Sequence, residues 1–197
     1  HTLVYDLRDD RFQPTEGYII SFDQSLAGVG GNKRYLRNEL RLAYYRPVWE
    51  EWVATLRLRE GYVVGIGQDV GITDRFFVGG NNFRGFRPSG IGPRDRASGD
   101  ALGGNMYFVS TAEIRFPLGL PSELGILGRV FSQAGTLSNI DATGNDLFDV
   151  GSIRISSGFG ISWISPFGPI EVDYATVLKK EPVDETQAFF LSFGARF

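Results

Sequence analysis

Apolar and polar residues alternate along most of the chain. Between positions 105 and 116, residues such as Phe108 and Ile114 occupy every second position, Glu113 lies on the opposite face, and Val109 is the one apolar exception there. Successive side chains of a β-strand point to opposite faces, so this period of two predicts a strand. The same period predicts further strands at 2–8, 18–26, 36–44, 52–59, 126–137, 153–163, 170–174 and 189–197. We therefore predict an all-β fold, an antiparallel meander of about eight or nine strands.

Alternation alone does not tell which face of the sheet is in contact with water. In a soluble β-sandwich the apolar face points inward, whereas in a transmembrane β-barrel it points outward into lipid. The predicted strands are close to the ~9–11 residues that cross a bilayer at a tilt. Aromatic residues such as Trp52 and Trp163 lie near predicted strand ends, as in interfacial girdles. Both features favour a transmembrane β-barrel, with a soluble β-sandwich as the alternative.

A long segment without a strand pattern, 65–104, interrupts the alternation with the sequence "VGGNNFRGFRPSGIGPRD" near its middle. Connections of this length are usually functional, and the mixture of arginines and aromatics favours a loop folded back against a polar wall. In a barrel that wall is the lumen, where Arg84 needs an acidic or polar partner. No linker divides the chain, so we assign one domain over 1–197 that includes this loop. The centre of the loop consists of Phe83, Arg84, Gly85 and Phe86.

Composition narrows the chemistry that is open to the chain. It contains no cysteine, a single histidine at position 1, and a formal net charge of −3. These values exclude thiolate metal sites and catalysis by an internal imidazole, and they give no reason to expect nucleic acid. Glu171 and Asp173 share a strand face, but no nucleophile or metal-ligand cluster accompanies them. We therefore predict that the protein is not an enzyme and needs no metal and no cofactor.

Several motifs, taken together, point to a known family. They are "RDDRFQPTEGY" near the start, "DRFFVGGNNFRGF" and "IGPRD" in the loop, "GGNMYFVSTAEIRFPL" after it, "IRISSGFGISWISPFGPIEVDYA" later on, and "FFLSFGARF" at the end. In this order they resemble BamA-type outer-membrane protein assembly factors of the POTRA-transporter superfamily. The loop motif resembles the R-G-F/Y tip of that family's sixth extracellular loop, and the final motif resembles the C-terminal β-signal of outer-membrane proteins.

The resemblance implies partners for the loop arginine. In the family, this arginine reaches a strand glutamate and the aspartate of an F-x-D-x-G motif inside the barrel. By position these correspond to Glu113 and to the motif that runs from Phe131 to Gly135. Gln133 stands where the aspartate is expected. We therefore expect a charge-assisted hydrogen bond between Arg84 and Glu113, and an uncharged one to the amide oxygen of Gln133.

The resemblance also implies that the chain corresponds to the C-terminal half of a sixteen-stranded barrel, which POTRA domains precede in the family. The first and last strands of that barrel meet at a weak seam, where client strands are thought to enter by edge pairing. Gly194 either weakens local pairing and helps the seam to open or only relieves crowding. The β-signal that forms one side of the seam comprises Phe189, Leu191, Phe193, Gly194 and Phe197.

An open half-sheet has two unpaired edges, which a bilayer does not tolerate. We therefore expect the chain to close into a small barrel, to dimerise, or to pair with a missing N-terminal half. The interior of a closed barrel of ~eight strands is filled by its own side chains. Closure would therefore displace Arg84 from Glu113.

By resemblance, we expect an assembly factor in the outer membrane of a Gram-negative bacterium that inserts and folds other β-barrel proteins through the seam. Its expected partners are outer-membrane lipid, unfolded β-barrel clients, periplasmic POTRA domains and accessory lipoproteins. One alternative is a two-partner secretion pore of the same superfamily, which exports a polypeptide. An alternative of another class is a soluble β-sandwich that binds ligands through the long loop.

Overall fold

The computed structural model describes residues 1–28, 30–141, 147–165 and 168–194, and in them it contains eleven β-strands and three short 3₁₀ helices. The strands are β1 (Thr2–Asp6), β2 (Gly17–Ala27), β3 (Tyr35–Trp49), β4 (Trp52–Gly65), β5 (Arg94–Asp95), β6 (Met106–Pro117), β7 (Ile126–Ser138), β8 (Leu147–Phe148), β9 (Arg154–Ser165), β10 (Gly168–Lys179) and β11 (Phe189–Phe193). The 3₁₀ helices are Ile72–Asp74, Gly80–Asn82 and Ser122–Leu124. No helix in these residues is long and apolar enough to cross a membrane.

Nine of the strands form a single antiparallel sheet in the order β1-β2-β3-β4-β6-β7-β9-β10-β11. Each strand of this sheet pairs with the next one along the chain, and the two short strands β5 and β8 pair separately with each other. The prediction of an antiparallel meander of eight or nine strands is confirmed. Within the described ranges, the outer edges of β1 and β11 have no neighbouring strand, so the sheet is an open part of a barrel.

The central strands are long enough to cross a bilayer. β3 has 15 residues and β4 has 14, and they pair continuously from Tyr35 opposite Gly65 to Pro47 opposite Val53. A strand rises about 3.3 Å per residue, so even at a tilt of about 45° strands of this length cover the ~30 Å hydrocarbon core.

The apolar face of the sheet is the exposed one. Leu56, Phe159, Val172 and Leu191 lie on it, and between 51% and 59% of each is exposed. The opposite face carries buried polar residues, among them Glu113. In the part of the chain that the structure describes, no second sheet covers the apolar face. An apolar surface of this extent is expected against lipid rather than water, so the soluble β-sandwich alternative is wrong.

The main hydrophobic core lies on the other face, between the sheet and the loop that joins β4 to β6. Val109, the apolar exception in the alternation of β6, belongs to this core and is 3% exposed. Its position is explained by the loop, which covers this end of the polar face with apolar side chains of its own. The buried members of the core are Val63, Val70, Phe76, Val78, Phe83, Phe86, Ile91, Tyr107, Val109 and Leu137.

Candidate functional site

The tip of the loop, residues 83–86, lies against the polar face of the sheet. Phe83 and Phe86 are fully buried, with ring centroids 5.0 Å apart, and anchor the tip in the hydrophobic core. Gly85 between them has a φ of +100°, and a Cβ added there would lie 2.9 Å from the Cβ of Ser156. Both the backbone conformation and the close approach therefore require glycine. The amide of Gly80 donates to the carbonyl of Phe86 at 2.8 Å and closes the turn.

The side chain of Arg84 is buried in the inner wall, where only 2% of it is exposed. Its Nη2 donates to Oε2 of Glu113 at 3.3 Å, and its Nη1 donates to Oδ2 of Asp173 at 3.1 Å. Its Nε donates to Oε1 of Gln133 at 3.1 Å. The guanidinium carbon also lies 3.3 Å from the centre of the Phe131 ring, in a cation–π contact. Arg84 is therefore held by four different side chains of the sheet.

Gln133 holds the backbone of the tip as well as its side chain. Its Oε1 accepts a hydrogen bond from the backbone amide of Arg84 at 2.9 Å, while its Nε2 donates to Oγ1 of Thr111 at 2.8 Å. On the other side, Oγ of Ser156 donates to the carbonyl of Arg84 at 2.6 Å. An amide side chain can accept and donate at once, which an ionised carboxylate cannot do. The glutamine thus keeps the contact expected of the family aspartate without its charge.

Two further arginines complete a charge network around Arg84. Arg129 of β7 donates to Asp173 of β10 through Nε at 2.9 Å, and its Nη1 pairs with Glu171, also on β10. Arg57 donates to Glu113 through Nη1 at 3.3 Å. Three guanidinium groups therefore pair with three carboxylates, which leaves the network without net charge. The three carboxylates belong to Glu113, Glu171 and Asp173.

The structure brings most of the predicted wall residues together. Glu113, Phe131 and Gln133 all contact Arg84. The fourth, Gly135, pairs with Val109 in the β6–β7 ladder, and a Cβ there would lie 2.6 Å from the carbonyl oxygen of Phe108. Its lack of a side chain thus allows the two strands to approach at this point. Because the sheet is open in this structure, the condition under which Arg84 would be displaced from Glu113 is not met.

The sequence reasoning assigned none of the remaining residues of the site, namely Arg57, Thr111, Arg129, Ser156, Glu171 and Asp173, to a contact with the loop. The alternation of β10 placed Asp173 on the polar face, but it gave no distance from there to the loop. Asp173 reaches Arg84 across β7 and β9, which separate β10 from β6. Only the curvature and register of the whole sheet bring these strands around one arginine.

The predicted β-signal lies at the open edge of the sheet. Within the residues that the structure describes, β11 pairs with β10 alone, through five residue pairs. Phe189, Leu191 and Phe193 all lie on the exposed apolar face. The strand begins at Phe189, as the alternation predicted, and the amide of Gln187 just before it donates to the carbonyl of Gly85 in the loop at 3.0 Å. The start of the last strand is therefore in direct contact with the loop tip.

Gly194 follows β11 with a φ of +91°, and its amide donates to the carbonyl of Pro169 at 2.8 Å. Among the described residues, no atom lies within 4 Å of a Cβ added at this position. The positive φ is itself a conformation that favours glycine. Phe197, the last residue of the predicted β-signal, lies outside the described residues.

The inner wall carries carboxylates, but they bind guanidinium groups. Among the described residues, no group of three or more His, Asp or Glu side chains is arranged to hold a metal ion. What the wall can do chemically is to hold a buried arginine of the loop through charge-assisted hydrogen bonds.

Comparisons with known proteins agree with this architecture. A family model described as "Omp85 superfamily domain" matches residues 1–197. The outer membrane protein assembly factor BamA of Neorickettsia risticii (strain Illinois) is 37% identical over 196 residues, which cover 98% of this chain and 26% of the relative. The sorting and assembly machinery component 50 homolog of Mus musculus is 32% identical over 149 residues, which cover 72% of this chain and 31% of the relative.

Among solved structures, the crystal structure of BamA from Haemophilus ducreyi lacking POTRA domains 1-3 superimposes with a TM-score of 0.87 at 25% sequence identity. The superposition covers 96% of this chain and 40% of that chain. The chain thus spans about a quarter to a third of the length of these curated relatives. The resemblance to BamA-type barrels that the motifs indicated is confirmed.

Proposed function

This chain belongs to the Omp85 superfamily as a homologue of BamA, and from that premise we propose that it inserts and folds other β-barrel proteins in a membrane through a weak seam at its last strand. The relatives are named as assembly factors, which supports the sequence-based prediction that the protein is not an enzyme. The activity of the whole protein is inferred here from one part of its barrel.

The observation that carries this proposal is the seated loop. Arg84, at the tip of the loop, is buried against the sheet. It donates hydrogen bonds to Glu113, Gln133 and Asp173, which lie on three different strands. Removing one partner of a buried ion pair costs about 3–5 kcal/mol, because the other charge is left uncompensated. A loop held this firmly fixes the shape of the inner wall over four neighbouring strands, β6, β7, β9 and β10. The barrel can then be rigid there and weak elsewhere.

The weak place is the outer edge of β11. In the part of the chain that the structure describes, this strand has five residues and pairs with β10 alone, and Gly194 follows it with a positive φ. The unpaired backbone groups of an edge strand are a template for another strand. A client strand that pairs there exchanges exposed polar groups for hydrogen bonds and begins its own sheet inside the membrane. Folding of the client in lipid supplies the free energy, so no nucleotide is needed.

We place the protein in the outer membrane of a Gram-negative bacterium. The support is the name of the relatives, which are outer membrane assembly factors, together with the exposed apolar face of the sheet. Its partners on this proposal are outer-membrane lipid, unfolded β-barrel clients, periplasmic POTRA domains and accessory lipoproteins. A secretion pore of the same superfamily is the alternative. The assembly names of the relatives favour insertion over export.

A client-folding assay tests the proposal. The protein at its full natural length is placed in liposomes with a urea-unfolded small β-barrel, and folding is followed by gel mobility without boiling. We expect faster folding than in empty liposomes. Arg84→Ala should reduce the folding rate towards that of empty liposomes. It removes one of the positive charges that compensate the buried carboxylates of Glu113 and Asp173.

Arg96→Ala is the matched control, since Arg96 is an exposed arginine of the same loop that bonds to the carbonyl of Leu147. Its rate should equal that of the unchanged protein. If Arg84→Ala folds clients as fast as this control does, the seated loop does not carry the activity. If the unchanged protein and the Arg96→Ala control both fold clients no faster than empty liposomes, the insertion function itself is refuted.

A further inference from the structure

We propose that Arg154 and Asp184 are positioning residues that fasten the loop tip to the start of the last strand, so that release of the tip and loosening of β11 are one coupled event. The inference rests on the proposed function, because it assigns these residues a part in opening the seam. It concerns a second attachment of the loop, separate from the charge network around Arg84.

The first step is the anchor. Arg154, at the start of β9, forms a bidentate ion pair with Asp184 in the connection between β10 and β11, at 3.0 Å through Nε and 3.2 Å through Nη2. Both side chains are fully buried. Oδ2 of Asp184 also accepts from the amide of Glu181 at 2.7 Å, and Nη1 of Arg154 donates to two carbonyls near the start of β9. The pair therefore fixes the connection, residues 180–188, against the sheet.

The second step is a backbone ladder between this connection and the loop tip. The amide of Arg87 donates to the carbonyl of Glu185 at 2.9 Å, and the amide of Gln187 donates to the carbonyl of Gly85 at 3.0 Å. These bonds flank an antiparallel bridge between Phe86 and Thr186. The loop tip is thus paired, strand to strand, with the residues that immediately precede β11.

Side chains and a glycine reinforce the ladder. Arg94 of β5 donates to Oε1 of Glu185 at 3.0 Å, and the amide of Glu185 donates to the carbonyl of Gly90 at 2.9 Å. A Cβ at Gly90 would lie 2.6 Å from the carbonyl oxygen of Glu185, so no other residue fits there without a shift of the backbone. The loop and the connection are in this way packed as one unit.

The consequence for the seam follows from the order along the chain. The connection that the loop holds continues directly into β11, whose one strand neighbour among the described residues is β10. Releasing the tip removes the ladder from residues 185–187 and leaves β11 held by five residue pairs at its single paired edge. Such coupling is reciprocal, so displacement of β11 by a client strand also loosens the tip.

Hydrogen exchange tests the coupling on the protein at its full natural length in lipid nanodiscs. Asp184→Asn should raise the exchange rates of residues 84–91 and 189–193 together, by about fivefold or more. Asp100→Asn, an exposed aspartate of the same loop, is the matched control and should change neither. If exchange rises only within 180–188, the anchor does not couple the loop to the last strand and the inference is overturned.

A second variant keeps the test decisive if Asp184→Asn does not fold. Arg87 and Glu185 lie opposite each other in the ladder and are both exposed, and residues opposite in an antiparallel pair have Cα atoms about 5.5 Å apart, within reach of a disulfide. Arg87→Cys with Glu185→Cys should form that bond and slow exchange of 189–193 by about fivefold, reversibly with reductant. A disulfide that forms without slowing exchange there would refute the coupling.

Client folding is measured in parallel, so that the two proposals fail separately. If neither the unchanged protein nor any variant folds clients, but hydrogen exchange responds as expected, the insertion function fails and the coupling stands. If clients fold normally with the disulfide closed and exchange is unaffected, the coupling fails and the insertion function stands.

Discussion

At the scale of single residues, the inner wall shows that charge balance matters more than the identity of any one motif position. The motif suggested an aspartate at position 133, where the chain has glutamine. Asp173, two strands away on β10, supplies the second carboxylate for Arg84 instead. With Arg57 and Arg129 also present, an additional carboxylate at 133 would make the buried network negative.

This balance predicts a non-additive pair of substitutions. Gln133→Asp should destabilise the seated loop, because it adds a fourth carboxylate beside three guanidinium groups and removes the donor to Thr111. Asp173→Asn should also destabilise it, by about 3–5 kcal/mol, because it leaves buried guanidinium groups undercompensated. The double variant restores neutrality, so its loss should be smaller than the sum of the single losses by about 0.5–3 kcal/mol.

Protease accessibility of the loop and urea unfolding in detergent would measure the three variants side by side. Gln133→Asn is the matched control, since it shortens the side chain at the same position without introducing charge. Strict additivity of the two single losses would contradict the balance argument.

At the scale of elements, the alternation located the strands well and their ends less well. The prediction for β3 stopped at 44, yet the strand continues to Trp49, because pairing with β4 persists after the apolar–polar alternation has ended. The prediction for β4 likewise stopped at 59, yet the strand continues to Gly65. Strand ends depend on partners that are distant in sequence, whereas strand interiors carry their own period. This is also why the sequence could point to Arg84 and Glu113 but not to Asp173.

The turn between β1 and β2 gives a prediction of pH dependence. Oδ1 of Asp9 accepts from the amides of Thr15 and Glu16 at 2.9 and 3.1 Å, and Oδ2 accepts from the hydroxyl of Thr15. Burial raises the pKa of Asp9, but the hydrogen bonds from Thr15 and from the backbone together lower it by more. The net result is a pKa of about 2 instead of 3.8. A carboxyl with a lowered pKa stabilises the folded turn above its unfolded pKa, and the stabilisation is lost as the pH falls through about 2.

Carboxyl carbon NMR of the labelled protein in detergent would follow this titration, with the Thr15 amide shift as a second reporter. We expect both signals to share one midpoint near the lowered value, and Asp9→Asn should abolish the step in the Thr15 signal. A midpoint at the ordinary aspartate value would show that the turn does not hold the carboxylate.

At the scale of the whole molecule, the two faces of the sheet are oriented opposite to those of a soluble protein. Its apolar face is exposed, and its main hydrophobic core lies on the inner face, where the loop between β4 and β6 supplies six of the ten buried residues. The arginines and aromatics of the loop predicted that it folds back on the polar face, and Val109, which is apolar on that face, belongs to the core beneath the loop. The loop is therefore part of the fold, and the open edges of β1 and β11 are where the described sheet is incomplete.

These open edges predict how residues 1–197 behave when they are produced alone. Each unpaired backbone group in the hydrocarbon core costs several kcal/mol, so the edges must find partners. Closing β11 directly onto β1 would narrow the lumen to one that side chains fill, which would expel Arg84 from its neutral network. We therefore expect a detergent-solubilised dimer or larger species rather than a monomer of 21.8 kDa, measured by light scattering after gel filtration. A monomeric closed barrel whose unfolding is insensitive to Arg84→Ala would contradict this, because it would show that closure costs less than keeping the loop seated.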